Sequence, residues 1–361
     1  MNLSRFCRDG ERPVPAFSPE LRYTGRIDFD NPAAPVFVFA YTSVEMRFSG
    51  TSLRTVIDNS NAFWDNYLGF IIDGVQGKAL IPEHNKAVCV TLAESLEDKE
   101  HELFFFKRMD CSHQFAFYGF LVGKDAIIAP PSLKAPNRVM EVFGDSVSAG
   151  ELTEAMDYVG HLDPTHHGQW TNSYYSYAAM TARAMNARLY DTSQGGIALL
   201  HGTGWFGPDY LGMEEIWDKI EYVPEFGPSK RWDFSRVTPQ VVVVAIGQND
   251  NHPYDIMKDN PNGPEAENWR NHYKAFLCTI RHTYPRALII AATTILIHDK
   301  GWDNSIGKVC GQIGDPKIVH FMYSRNGTAT QGHPRVPESE EMAQELCKFL
   351  RSFGDGIWDG K

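Results

Sequence analysis

Ser146 ends an apolar run in a way that suits a nucleophile: Val139-Met140-Glu141-Val142-Phe143 breaks into Gly144-Asp145-Ser146-Val147-Ser148. Glycine permits a tight turn, and a serine just beyond it can project its hydroxyl from the carboxyl edge of a sheet, with its own N–H turned toward an incoming oxyanion. A hydroxyl at its ordinary pKa is a poor nucleophile, so it needs a base within hydrogen-bond reach, and imidazole is the default. Of the thirteen histidines, His333, in Gly332-His333-Pro334 shortly before the final helical segment, is placed to be that base. Acyl transfer also needs donors for the oxyanion. The paired glycines of Ser193-Gln194-Gly195-Gly196 can bring a backbone N–H close to a ligand, and Gly247-Gln248-Asn249-Asp250 offers a side-chain amide. One such donor is typically worth about 3 kcal/mol of transition-state stabilisation. Each piece alone also has a plain reading, as a turn capped by Asp145, a glycine loop, or an asparagine turn. Asp250 is read as a helix N-cap.

The elements that must position these residues change character midway. From Leu21 to Ile128 short β-type runs are bounded by turn residues, and several alternate apolar with polar residues: Leu21–Phe29, Val36–Thr42, Val44–Phe48, Leu53–Ile57, Leu68–Ile72, Ala87–Leu92, Glu102–Lys107 and Phe115–Leu121. No long amphipathic helix interrupts them, which predicts an antiparallel sandwich. Ala129 to Pro136 carries three prolines in eight residues and marks a boundary. Beyond it strands and helices alternate. Strands are expected at Arg138–Phe143, Ala187–Tyr190, Gln240–Ile246, Ala287–Ile297 and Ile318–Met322, and helices at Ser173–Asn186, Glu265–Thr283 and Glu338–Phe353. The continuous apolar run Val241 to Ile246 suits a parallel sheet covered on both faces, whose active site lies beyond the carboxyl ends of its strands. The expected organisation is a β-sandwich over 1–129, a proline-rich linker over 130–137 and a three-layer α/β/α domain over 138–361.

Net charge is −11, and Lys and Arg are dispersed among the acids, so nucleic acid is disfavoured as a partner. No apolar run reaches the length of a signal peptide or a membrane span, which predicts a cytoplasmic protein without a membrane partner. The six cysteines are far apart and read as free thiols.

Taken in order, Gly144 to Ser146, Gly195-Gly196, Gly247 to Asp250 and His333 resemble the nucleophile, glycine, GxND and histidine blocks of the SGNH (GDSL-type) hydrolases. The amino-terminal half narrows the match. Gly25-Arg26, Phe48 to Leu53, Ile72-Asp73-Gly74 and His101 to Arg108 look like the jelly-roll domain that precedes the hydrolase in carbohydrate esterase family 2. The resemblance implies an esterase that removes acetyl groups from xylan- or mannan-type saccharides, with a preference for the primary 6-hydroxyl and no metal or organic cofactor. It assigns Ser146 as nucleophile, His333 as base, and an oxyanion hole made of the Ser146 N–H, the Gly196 N–H and the Asn249 amide, with Gly195 as the alternative glycine.

One position departs from that pattern. SGNH enzymes usually carry an Asp three residues before the histidine, where this chain has Thr330. A Ser-His dyad is therefore expected, with a main-chain carbonyl receiving the His333 Nδ1–H. Glu338 is a weaker orienting candidate and reads better as a first-turn helix carboxylate. Trp205, Phe206, Trp302 and His252 fall near the expected catalytic edge, where aromatic faces could stack on a sugar. His161, His166 and His167 with Asp163 look superficially metal-like, but they lack ligand spacing and read as a polar loop lining the cleft. Other readings of the same chain are a thioesterase, lysophospholipase-like enzyme or transacylase, or a carbohydrate-binding protein with an inert hydrolase half. A homo-oligomer is compatible with the sequence.

Overall fold

The computed structural model describes residues 1–82, 85–207 and 211–359 of the 361. The first third folds as two six-stranded antiparallel sheets stacked face to face. His113–Gly123 and Leu53–Asn61 centre one sheet, and Ser43–Gly50 and Lys99–Lys107 centre the other. Alternation explains the filling. Phe37, Val44, Met46, Phe48, Phe105, Phe115, Phe117 and Phe120 point between the sheets and are buried.

Some strands differ from expectation. Leu21–Phe29 is not one strand, because Arg22–Thr24 and Ile27–Asp28 belong to different sheets. The run expected over Val36–Thr42 is a strand only at Val36–Phe37; Val38 and Phe39 then leave the sheet to join the core of the second half. Two edge strands carried little pattern. Glu11–Pro15 includes two prolines, tolerated because it sits at an edge, and Val75–Leu80 mixes Gln76, Gly77 and Lys78 with small or exposed apolar residues and buries none of them.

The second half is built on a five-stranded all-parallel sheet: β1 (Arg138–Gly144), β2 (Ala187–Ser193), β3 (Val241–Ala245), β4 (Leu288–Ala292) and β5 (Ile318–His320), in the order β2-β1-β3-β4-β5. The helices that matter for the site and the core are α1 (Ser146–Ala149), α2 (Tyr177–Ala184), α3 (Pro264–Thr283), α4 (Lys300–Ile313) and α5 (Val336–Ser352); Met213–Ile216 and Ile256–Asp259 add single helical turns. Val242 and Val244 of β3 pack with Trp269 and Ile306 of α3 and α4, while Val243 and Ala245 pack with Tyr177 and Leu346 of α2 and α5. Two covered faces make three layers. Helix α4 escaped sequence reading because Gly301, Gly307 and Gly311 dilute its periodicity. The helix expected over Ser173–Asn186 is split, with Ser176 ending a 3₁₀ turn and capping Ala179 N–H of α2 at 3.1 Å.

The halves share a buried seam. Arg26 of the sandwich, fully enclosed, pairs with Glu141 of β1 at 2.7 and 3.0 Å and donates to the carbonyls of Trp217 and Lys219. The run Phe104-Phe105-Phe106 divides its work: Phe105 fills the sandwich, while Phe104 and Phe106 pack on Tyr41 and Tyr174.

Candidate active site

The turn that carries Ser146 is set by Asp145. As N-cap of α1 its Oδ1 accepts from Val147 N–H at 3.0 Å, and its Oδ2 accepts from the Gln248 amide at 2.5 Å and the Asn249 amide at 3.1 Å. The ends of β1 and β3 are thereby joined. Burial pushes the Asp145 carboxyl up to about 6, although these donors oppose the shift. Gly144 cannot carry a side chain here, since a Cβ would meet Ser148 Oγ at 2.2 Å.

Asp250 ties β3 to the glycine loop. Its Oδ1 accepts from Leu199 N–H at 2.9 Å and from Trp269 Nε1 at 2.6 Å. It is thus not the helix N-cap expected from sequence; that position falls to Gln248, ahead of the 3₁₀ turn Asn249–Asn251. Burial raises the Asp250 carboxyl to about 7.

The glycine loop is held from the other half of the chain. Asp110 accepts from Gly195 N–H at 2.9 Å and from the Gln194 amide at 2.7 Å. Gly195 is therefore committed and is not free to meet an oxyanion. The N–H of Gly196 has no acceptor among the described residues. Gly196 has φ +73°, and a Cβ there would stand 2.9 Å from the backbone of Trp205, so the position requires glycine. Asn249 Nδ2 lies 3.1 Å from both Asp145 Oδ2 and the Ile197 carbonyl, so an oxyanion would share one of its hydrogens.

His333 reaches Ser146 across the end of the sheet, with Nε2 2.7 Å from Oγ. Its Nδ1 does not meet a main-chain carbonyl as expected. It meets Asp163 Oδ2 at 2.6 Å, and the His333 N–H donates to Asp163 Oδ1 at 2.9 Å. The arrangement is a triad rather than a dyad. Arg335, fully buried, holds both ends: its guanidinium donates to Asp163 Oδ1 at 2.8 Å and to the His333 carbonyl at 2.6 Å. Thr330, where the usual Asp would stand, bonds the Gly332 carbonyl instead. Glu338 accepts from Arg335 N–H at 2.9 Å, a helix-capping contact that leaves it without a part in orienting the imidazole.

Charge completes the site. Burial works against ionisation of Asp163, but the hydrogen bond and charge of His333 and the bond from Arg335 outweigh it and hold the carboxyl well below the usual carboxylate range. For His333 burial lowers the imidazolium. The charge of Glu151 and then the bond and charge of Asp163 more than offset that and lift it to about 9. The residues this brings together that sequence reading did not assign are Asp163, Arg335, Asp110 and Glu151. Only Asp163 left a trace, in a polar loop expected to line the cleft.

The aromatic candidates separate. Trp205 is 63% exposed and stacks on His252 with centroids 3.7 Å apart, beside the glycine loop. Trp302 is not a loop residue; it is fully buried in α4 against Trp269, with Nε1 on Asp255 at 3.0 Å, so it cannot meet a sugar. Phe206 is likewise buried.

Chemically, a hydroxyl, an imidazole, a carboxylate and a free backbone N–H at one sheet edge can carry acyl transfer through a covalent ester. The family model for the amino-terminal domain of carbohydrate esterase 2 matches residues 23–131. A cellulase/esterase CelE from Acetivibrio thermocellus is 28% identical over 348 residues; the match takes in 93% of this chain and 40% of that protein, so the chain spans less than half of its length. An acetylxylan esterase / glucomannan deacetylase from Cellvibrio japonicus is 25% identical over 98% of this chain and 94% of its own. A solved family two carbohydrate esterase from Clostridium thermocellum, in complex with cellohexaose, superposes with TM-score 0.75 at 26% identity, covering 92% of this chain and 98% of that one.

Proposed function

We propose that the chain, whose amino-terminal domain matches the carbohydrate esterase 2 model and which aligns with family two esterases over nearly its whole length, is a serine esterase that removes O-acetyl groups from acetylated sugars of the xylan or mannan type, at the primary hydroxyl by preference where the sugar has one. The observation that carries the reading is the unbroken line from Asp163 through His333 to Ser146, with links of 2.6 and 2.7 Å. Ser146 Oγ attacks the acetyl carbonyl as Nε2 takes its proton. The carbonyl oxygen gathers charge and is met by the N–H groups of Gly196 and Ser146 and by a hydrogen of Asn249. Collapse passes the proton from Nε2 to the departing sugar oxygen, and water repeats the sequence on the acetyl-enzyme. Asp163 keeps the imidazole in the tautomer that accepts at Nε2 and stabilises its charged form. The names of the relatives support the saccharide class: one is an acetylxylan esterase / glucomannan deacetylase, and another is a carbohydrate esterase in complex with a cello-oligosaccharide. Exposed Trp205 offers an aromatic face at the same edge.

Incubating wild type and Ser146→Ala with mono-acetylated sugars of defined position, and quantifying acetate, tests this. Wild type is expected to release acetate and the variant to lose nearly all turnover. Equal release by both, or none by wild type, removes the proposal.

A further inference from the structure

Glu151 is anchored to the nucleophile turn, its N–H donating to the Ser146 carbonyl at 2.9 Å. Its carboxyl lies between His333 and the glycine loop: Oε2 is 3.9 Å from His333 Nε2, and a Cβ on Gly195 would stand 3.2 Å from the same oxygen. On its other flank Oε1 is 3.8 Å from His166 Nε2, a ring that Trp64 covers at 4.2 Å. The side chain is only 15% exposed, yet among the described residues no hydrogen bond reaches either oxygen. Its neighbours differ in this. Asp110, Asp145, Asp163 and Glu154 each accept at least two hydrogen bonds.

A largely buried carboxylate without donors is costly, and it has acceptor capacity to offer a ligand. The proton path defines which ligand. The leaving oxygen must come within hydrogen-bond distance of His333 Nε2 to take its proton, so a group bonded two or three atoms from that oxygen falls within reach of Oε2. Burial raises the Glu151 carboxyl to about 7, with the charge of His333 opposing; above that pH it is an acceptor-only carboxylate, which rewards a donor and repels an anion. We infer that Glu151 accepts a hydrogen bond from a free hydroxyl neighbouring the ester, so that the site selects esters of polyols whose adjacent hydroxyl is unprotected. This rests on the esterase reading above and adds a specificity residue to it.

The test compares acetate release from methyl 6-O-acetyl-glucopyranoside and from its 4-O-methyl ether, by wild type, Glu151→Ala and Glu151→Gln. In wild type, methylation is expected to lower kcat/KM by about ten- to a hundredfold, the range a hydrogen bond to a charged group commands. In Glu151→Ala the ratio should fall toward one, and in Glu151→Gln, whose amide oxygen still accepts, it should be intermediate. If Glu151→Ala does not fold, the ratio in Glu151→Gln decides. A methylation penalty that persists undiminished in the variants is steric and overturns the inference. Equal rates in wild type overturn it too, while the esterase reading stands. No acetate from either ester with wild type removes both.

Discussion

Asp163 and His333 lie 170 residues apart in the chain and are joined twice, by Nδ1 to Oδ2 at 2.6 Å and by the His333 N–H to Oδ1 at 2.9 Å. The second bond ties the carboxylate to the backbone that carries the imidazole, so ring and acid move as one. An amide at this position turns a donor toward Nδ1 and favours the wrong tautomer. Asp163→Asn is therefore expected to lower kcat on an acetylated sugar by on the order of 10⁴-fold, with KM changed far less. Steady-state kinetics checks it, and an unaltered kcat would make His333 independent of Asp163.

The pH profile follows from the charges around the imidazole. His333, held at about 9, accepts a proton from Ser146 only in its neutral form. Below that value the neutral fraction falls about tenfold per pH unit, so kcat/KM should climb through neutrality and level off above pH 9. The acids bearing on His333 are Glu151, Asp163 and Asp145, with Glu151 the largest upward influence. Glu151→Gln removes that charge, so the limb should move to lower pH. A limb that stays in place, or moves upward, contradicts the assignment.

Residues at strand ends were legible because each lies in a short local turn. Ser146 and Asn249 follow apolar runs whose length and composition announce a buried strand, Gly196 follows a mixed strand with only Leu189-Tyr190 as its apolar centre, and parallel-sheet geometry then collects those ends at one edge. Asp163 was not legible in that way. It sits in an irregular loop, its partner is remote, and the local signal that would have replaced it, an acid three residues before His333, is Thr330. A clue did exist in Arg335, an arginine too enclosed to stay unpaired, but its burial is not visible in sequence. The mixed outcome for Trp205 and Trp302 has a similar cause. Both flank apolar segments, and only the unrecognised helix α4 decides that Trp302 turns inward.

Asp110 ties the sandwich half to the glycine loop. Its carboxylate receives Gly195 N–H and the Gln194 amide, fixing the peptide plane that precedes the Gly196 N–H. Asp110→Ala removes both contacts that hold that loop. Because loss of a single oxyanion donor costs roughly 10²–10³ in kcat, the variant is expected to lose up to about that factor, with KM nearly constant. A rise in KM at unchanged kcat would instead place Asp110 in substrate binding.

The seam between the halves makes a stability prediction. Arg26 and Glu141 are each about 1% exposed, and the guanidinium also satisfies two carbonyls. In Arg26→Ala the Glu141 carboxylate retains the Tyr284 hydroxyl at 2.6 Å and a weaker contact from Thr192 at 3.4 Å, but no cation. Leaving one member of a buried pair alone costs about 3–5 kcal/mol, which denaturant unfolding would show as a lower midpoint. Most of that cost is the stranded charge rather than the lost bond. Adding Glu141→Gln to Arg26→Ala should therefore recover part of the loss, because the amide is neutral and can still accept from Tyr284. If the double variant is as unstable as the sum of the two single ones, the pair is not coupled and the seam is held by packing of Phe104 and Phe106 on Tyr41 and Tyr174.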